Sequence, residues 1–473
     1  MNEHRTPTRF RVILLVAMYI TAFGCGSEDH GDTSSPQELQ GAVLILLDTV
    51  RADHLSCYGY RRPTSPNIDA LAQKGVMFKQ VVSCSPWTLP SVAALLAGEY
   101  PERVFTKQLS RSLVERFHQK NISTAAFTEG GYVSRVFGFN RGFHYYKEEE
   151  GTVQLLKPGK SRDPSPRGGI ENTFSLARQW LLKHKDERFF LFIHTYEPHT
   201  PYTNHDFTSG MDPGTVGSVF NTSFMKSLRS RQQVLNDNEV EYIKALYDGD
   251  ILNSDRHVGE FLSFLEDLRL SDRTLIVVTS DHGEELNDHY PAYTGTHGHS
   301  LRDPLLLVPL ILYDPLHSYA ARKVSAQVRL IDVMPTIAEL LGVSIEKPID
   351  GISLLPIMKG TNTEDRVALA GQTRSGPLRS AIRHLGFKYI TTTGQGKSQG
   401  KLDPLPPPHQ LYDLSNDPGE RENLVEKKPK LAEQMHQLLQ DRDTNLLQQF
   451  EPEISQKSNP VLFERLKSLG YIQ

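Results

Sequence analysis

The stretch VLILLD, residues 43–48, is an unbroken aliphatic run closed by an acid. A run of that length with no polar alternation reads as a strand buried on both faces, as in parallel α/β sheets. Three more runs share its character: FFLFI at 189–193, LIVVT at 275–279 and LLLVPLIL at 305–312. The first three of the four end directly in polar groups, namely Asp48, His194 and Ser280-Asp281-His282. Ligands of open α/β sheets bind beyond the carboxyl ends of the strands, so these ends are candidates for one shared site. Helix-like segments lie between the runs. One covers 65–72, with Ser65 as cap, Pro66 in the first turn and Gly75 just beyond its end, and another covers 238–268. The alternation predicts an α/β fold.

Composition narrows the function classes. The 473 residues carry 52 Lys plus Arg against 56 Asp plus Glu, a net charge of −4, which argues against a nucleic-acid partner. Apolar residues make up 38%, or ~45% with glycine, ordinary globular usage that excludes disorder and a polytopic membrane protein. Setting aside the first 40 residues leaves enough chain for about two or three domains. The segment 394–408 (GQGKSQGKLDPLPPP) reads as a loop inside a smaller C-terminal unit, and the boundary between 41–360 and 361–473 is placed near residue 360.

The N-terminus has the form of an export signal: Arg5, Arg9 and Arg11 precede the apolar run 12–24, which is short for a membrane span. Residues 1–24 are read as a signal peptide. Ala22-Phe23-Gly24-Cys25 resembles the lipobox of bacterial lipoproteins, with Ala in place of the usual Leu, which makes Cys25 the candidate acylated residue. A plainly cleaved signal and an uncleaved anchor are the alternatives. Residues 25–40 are polar and turn-rich and read as a flexible tether. The expectation is an exported protein held to a bacterial membrane, facing the periplasm or exterior. Only Cys57 and Cys84 remain, so a disulfide framework or Cys-rich zinc site is excluded and one disulfide is left open.

In CSPWTLPSVAALLAG, residues 84–98, Pro90 and the small and leucine-type residues after it read as a helix start, which puts Thr88 just before the first turn. Free N–H groups and the positive end of the helix dipole favour an anion there. Thr88 is then either a helix cap or a nucleophile whose anionic substrate is already held. Asp48, Asp281 and His282 at buried strand ends shift the balance, because buried carboxylates call for a metal or another cation. A divalent ion would ease formation of the Thr88 alkoxide and bind a substrate oxygen.

These stretches together resemble the sulfatase family of the alkaline phosphatase superfamily. The likeness rests on LILLDTVRADHLSCYGY (44–60), TLPSVAALLAGEYP (88–101), VVTSDHGEEL (277–286), HGHSLRDPLLLVPLIL (297–312), LIDVMPTIAELLGV (330–343), DGISLLPIMKG (350–360), FKYI and LYDLSNDPGERENL (411–424). It implies a central mixed sheet flanked by helices, with a smaller C-terminal α+β subdomain, and a metal-dependent hydrolase of sulfuric or phosphoric esters. Sulfatases carry a Cys or Ser, converted to formylglycine, ten residues before the Gly of an LLTG-like segment. Here that position is Thr88, counted back from Gly98, and the motif's Arg becomes Val92. Threonine cannot become formylglycine. Cys84-Ser85-Pro86 begins like the same motif but stands fourteen residues from Gly98.

The expected metal ligands are Asp48, Thr88, Asp281 and His282. An imidazole beside a hydroxyl nucleophile favours zinc or manganese, with calcium the alternative. By likeness to two-metal relatives, Glu197, His199, Asp250, Asp255, His289, His297 and His299 are candidates for a second ion. The segment 194–202 (HTYEPHTPY) matches a family stretch lining the substrate, so His194 and His199 are expected to bind substrate, with Arg51 and Arg135 as weaker anion contacts. The hypothesis is in-line attack by Thr88, with His297 or His299 stabilising the transferred group or protonating the leaving oxygen. Its substrates are small-molecule, glycan or lipid anionic esters. The alternatives are a phosphoryl-group transferase acting on lipid or glycan head groups and an inactive protein that captures anionic glycans.

Overall fold

The computed structural model describes residues 38–105, 107–148, 169–319, 323–346, 348–394, 406–442 and 464–467. The signal segment, Cys25, most of the tether and the loop interiors 149–168 and 395–405 lie outside the described residues. Among the described residues no helix is long and apolar enough to cross a membrane.

Eight strands form the large sheet: β1 Gly41–Leu47, β2 Val76–Val82, β3 Ser123–Thr128, β4 Tyr145–Glu148, β5 Phe189–Thr195, β6 Thr274–Thr279, β7 Leu307–Tyr313 and β8 Lys323–Arg329. Their order is β4-β3-β5-β1-β6-β7-β2-β8. β7 runs antiparallel to both neighbours, and the other pairings are parallel, so the sheet is mixed as expected. The run 305–312 is strand only from Leu307, because Pro304 starts a helical turn over Asp303–Leu306.

Strand β1 shows why the aliphatic run folds this way. Its side chains alternate between two apolar clusters, Ala42, Leu44 and Leu46 on one face and Val43, Ile45 and Leu47 on the other. Helices Thr88–Ala97 and Val333–Leu340 cover the first face; Pro66–Lys74, Gly169–His184 and Asp237–Asp267 cover the second. Each fully buried aliphatic side chain contributes about 1.5–3 kcal/mol relative to exposure, so one polar replacement in β1 is costly.

Four antiparallel strands build a second sheet: β9 Ala368–Ala370, β10 Leu378–His384, β11 Phe387–Gly394 and β12 His409–Asp413, in the order β12-β11-β10-β9. It packs with helix Pro429–Arg442 through Leu369, Ile382, Tyr389, Leu411, Met435 and Leu439. The same cluster takes in Cys84, Ala94 and Tyr100. The small sheet therefore shares its core with the segment around Thr88, and Glu38–Gln473 forms one compact unit.

Candidate active site

Asp48 follows β1, His194 lies in β5 beside it, and Asp281 and His282 follow β6, so three adjacent strands deliver four polar side chains to one edge. All four are fully buried. Thr88 comes from the other direction. Trp87 is extended and serves as the N-cap, so the helix begins at Thr88 itself, which lies in the first turn and not just before it. Thr88 is fully buried, and its Oγ1 lies 3.3 Å from Asp48 Oδ2 and 3.3 Å from His282 Nε2. His194 Nε2 is 3.2 Å from the same Asp48 oxygen.

Asp281 and His282 are each aimed by backbone contacts on the other side. Asp281 Oδ1 accepts from the amides of His282 at 2.9 Å and Thr49 at 3.3 Å, while buried Oδ2 has no hydrogen-bond partner. His282 Nδ1 stands 2.9 Å from the Gly283 carbonyl, which can only accept, so this nitrogen carries a proton; burial lowers the pKa of the ring, but the charges of Asp281 and Asp48 outweigh it and hold it above the ordinary value. Gly283 admits no side chain, since a Cβ would lie 2.0 Å from the Pro304 carbonyl oxygen. Thr49 holds a left-handed backbone (φ 61°), unusual for a β-branched residue. The Tyr247 hydroxyl clamps that turn, donating to the Thr49 carbonyl at 2.8 Å and accepting from the Arg51 amide at 3.0 Å. Ser280 Oγ, 3.0 Å from the Val50 amide, closes it.

The donor set fits a divalent ion. Among the described residues, Asp48, Asp281 and His282 are the group of acids and imidazoles whose ligand atoms all lie within 4.8 Å of one another. Asp48 Oδ1 and Asp281 Oδ2 are buried carboxylate oxygens without hydrogen-bond partners, an arrangement a cation would relieve. Burial, followed by the Asp281 charge, drives the Asp48 pKa well above the carboxylate range. Burial also pushes His194 down to about 4 and His199 to about 3, so both rings are neutral at pH 7.

The remaining expected residues divide. His297 joins the cluster: its ring centroid is 4.4 Å from that of His282 and 5.0 Å from that of His199, and its Nδ1 is 3.0 Å from Glu284 Oε1. His299, two residues on, packs instead against Tyr293 at 4.8 Å and Tyr290 at 5.3 Å, with Glu285 at 3.8 Å. Arg51 is turned to other partners, since its guanidinium is shared between Asp53 at 2.7 Å and Asp288 at 2.5 Å; two carboxylates satisfy it better than an intermittent anion. Arg135 is exposed and pairs with Glu148 at 3.0 Å.

The proposed second-metal acids are likewise engaged elsewhere. Asp255 takes the amides of Asn67 and Ile68 and so caps helix Pro66–Lys74 from a distance, and Asp250 accepts from the Asn204 amide at 3.0 Å. Cys57 and Cys84 are both free thiols, and burial raises the pKa of Cys84 well above the thiol range among its apolar neighbours. Sequence reading missed Tyr247, whose clamp leaves no motif, and Ser280, which lay in view inside Ser280-Asp281-His282.

Known proteins resemble this chain over most of its length. The family profile named Sulfatase matches residues 40–343. An N-acetylgalactosamine-6-O-sulfatase of Bacteroides thetaiotaomicron is 23% identical, with 89% of this chain and 96% of the relative aligned. The iduronate 2-sulfatase of Mus musculus is 25% identical over 75% of this chain and 79% of its own. Among solved structures, the phosphonate monoester hydrolase of Agrobacterium radiobacter superposes with a TM-score of 0.68 at 20% identity, covering 86% of this chain and 96% of that one. That superposition shows a shared fold, while the profile match over well over half of the 473 residues shows that the chain belongs to the sulfatase family of ester hydrolases.

Proposed function

We propose that the protein is a metal-dependent hydrolase of sulfuric or phosphoric esters in which Thr88 is the nucleophile and forms a covalent intermediate. The observation that carries this reading is the position of Thr88 Oγ1, buried at a helix N-terminus and 3.3 Å from both Asp48 and His282. The helix start favours an anion at the hydroxyl, and the unpartnered carboxylate oxygens face the same point. Asp48, Asp281 and His282 would hold the ion, with Thr88 Oγ1 beside them. Two carboxylates and one imidazole favour zinc or manganese. When bound, the ion would supply Lewis acidity to the ester oxygen and favour the Thr88 alkoxide.

The protein groups divide the remaining work. The neutral His194 ring steadies Asp48, and His297, beside His282 and facing Glu284, would stabilise the transferred group or protonate the leaving oxygen; burial and the neighbouring His282 keep its pKa well below the ordinary value, which favours the first role. A threonine ester has no carbon–oxygen route for release, so water attacks sulfur or phosphorus to clear it. That step favours phosphoesters. The family and the names of its relatives, glycan sulfatases and a phosphonate monoester hydrolase, support sulfated or phosphorylated glycans as the substrate class. The buried Thr88–Asp48–His282 arrangement speaks against an inactive binding protein.

Thr88→Ala should lower turnover of p-nitrophenyl phosphate or sulfate by about 10⁴-fold or more while the protein melts at an unchanged temperature. Turnover that survives the change refutes the nucleophile. We further place the enzyme outside the cytoplasm, tethered through acylated Cys25, on the strength of the lipobox-like sequence. Labelling with an alkyne fatty acid in a bacterial host should mark the wild-type chain and miss Cys25→Ser.

A further inference from the structure

A cavity of about 840 Å³ opens where the large sheet meets the turn after β12, and none of Thr88, Asp48, Asp281 and His282 lines it. Gly283, the residue after His282, packs on its wall. A Cβ at Gly283 would stand 2.0 Å from the Pro304 carbonyl oxygen and 3.1 Å from Arg51 Cγ, and both of those residues line the cavity. Met77 of β2 and Leu307 of β7 give it an apolar part.

The charges of its lining divide into matched and unmatched. Its acids are all matched: Asp53 and Asp288 lie on Arg51 at 2.7 and 2.5 Å, and Asp303 is paired with Lys388 and, at 3.4 Å, with Arg383. Cys57 and His289 add no charge at pH 7, because burial raises the thiol to about 12 and lowers the imidazole to about 4. Lys244 leans toward Glu241 at 3.7 Å. That leaves Lys79, Lys323 and Arg421, all exposed and, among the described residues, without an ion pair. Sheet register and an anchored turn bring the three together. Lys323 is the partner of Met77 across parallel β8 and β2, and Lys79 follows two residues along β2. Arg421 follows Glu420, whose backbone is left-handed (φ 52°) and whose carboxylate accepts from the Asp303 amide at 2.7 Å and pairs with Lys388 at 2.7 Å. A cleft lined by unmatched cations concentrates anions.

We propose that this cavity is a second ligand site, separate from the Thr88 cluster, that takes a compact organic polyanion carrying several carboxylate, sulfate or phosphate groups. The volume is that of a small-molecule site and far exceeds a bare inorganic ion. Its apolar part suits a carbon frame, while Lys79, Lys323 and Arg421 each meet an anionic group. Arg51 takes no share, because two carboxylates already occupy its guanidinium. The site does not depend on the reaction assigned to Thr88.

Calorimetric titration of the metal-reconstituted full chain tests this with benzene-1,3,5-tricarboxylate, which carries three charges, and benzoate, which carries one. Exposed ion pairs are weak singly, but three acting together should give wild type a preference of roughly tenfold for the tricarboxylate. The combined variant Lys79→Gln, Lys323→Gln, Arg421→Gln should lose that preference and keep whatever ester turnover wild type shows. A second combined variant, Lys183→Gln, Lys359→Gln, Lys430→Gln, removes the same charge from exposed positions outside the cavity and should retain the preference. Equal binding of the two probes by wild type, a preference that survives in the cavity variant, or its loss in the second variant overturns the proposal. Displacement of the bound tricarboxylate by dextran sulfate would identify the occupant as a segment of an anionic polymer, and failure to displace it would identify a free small molecule; both sustain the site. A wild-type preference without turnover of any ester would sustain it while refuting the reaction assigned to Thr88.

Discussion

The carboxyl ends of β1 and β6 and the inner face of the small sheet both bury charge, and they treat it oppositely. On the small sheet Lys388 reaches Asp303 and, at 2.7 Å, Glu420, while Arg383 lies 3.4 Å from Asp303. These contacts are ion pairs more than well-aimed hydrogen bonds, and Lys388 and Arg383 each have an opposite charge beside them. At the large sheet Asp48 and Asp281 stand together with oxygens left unpartnered. Buried charge that is matched holds two parts of a protein together, and buried charge that is left unmatched marks a place where something binds.

Three experiments sharpen or break that contrast. Lys388→Met should have the largest effect on stability, about 3–5 kcal/mol lost in denaturant unfolding, because Glu420 would remain buried without its cation and Asp303 would keep only Arg383. An unchanged midpoint would mean the small-sheet pairs are not what joins the two sheets.

Next in size is a pH effect at Glu284, which burial pushes up to about 7. A proton on this carboxyl stabilises the fold. Its contribution is complete below the ordinary pKa of 4.5 and is lost as pH rises through 7. Metal-free wild type should therefore lose about 3 kcal/mol more than Glu284→Gln between pH 4.5 and pH 8, as read by urea unfolding at each pH. Parallel profiles for the two proteins would show that Glu284 does not carry this proton.

The smallest expected change has the opposite sign. Asp281→Asn keeps the acceptor for the Thr49 and His282 amides but removes the charge that, after burial, most raises the Asp48 pKa, so the metal-free variant should be as stable as wild type or about 1 kcal/mol more stable. The same variant should bind zinc or manganese more than about tenfold less tightly by competition with a chelator. A destabilised metal-free Asp281→Asn would place this carboxylate with the matched charges of the small sheet.

Much of the fold was legible because burial on both faces leaves a one-dimensional trace. The runs at 43–47, 189–193 and 275–279 are the three central strands β1, β5 and β6, and the polar residues at their ends stand side by side for that reason alone. The helix predicted at 238–268 is displaced by a single residue from the observed Asp237–Asp267. Less could be read where two residues of one type compete. His297 and His299 sit two positions apart on an irregular segment, and only its path, fixed at Gly298 by the β9–β10 loop, sends one to His282 and the other to the tyrosines.

By itself the sequence determined the α/β class, the family, the strand ends that form the site and Thr88 at the head of its helix, since each follows from local pattern or spacing. Tertiary structure alone decided that Arg51 pairs with Asp288, that Asp255 caps a distant helix, that Tyr247 locks Thr49 and that Arg374 packs over Trp87 from the small sheet. The physical reason is range. Burial and capping act on neighbours in the chain, whereas which charge meets which is settled only when segments more than a hundred residues apart pack together.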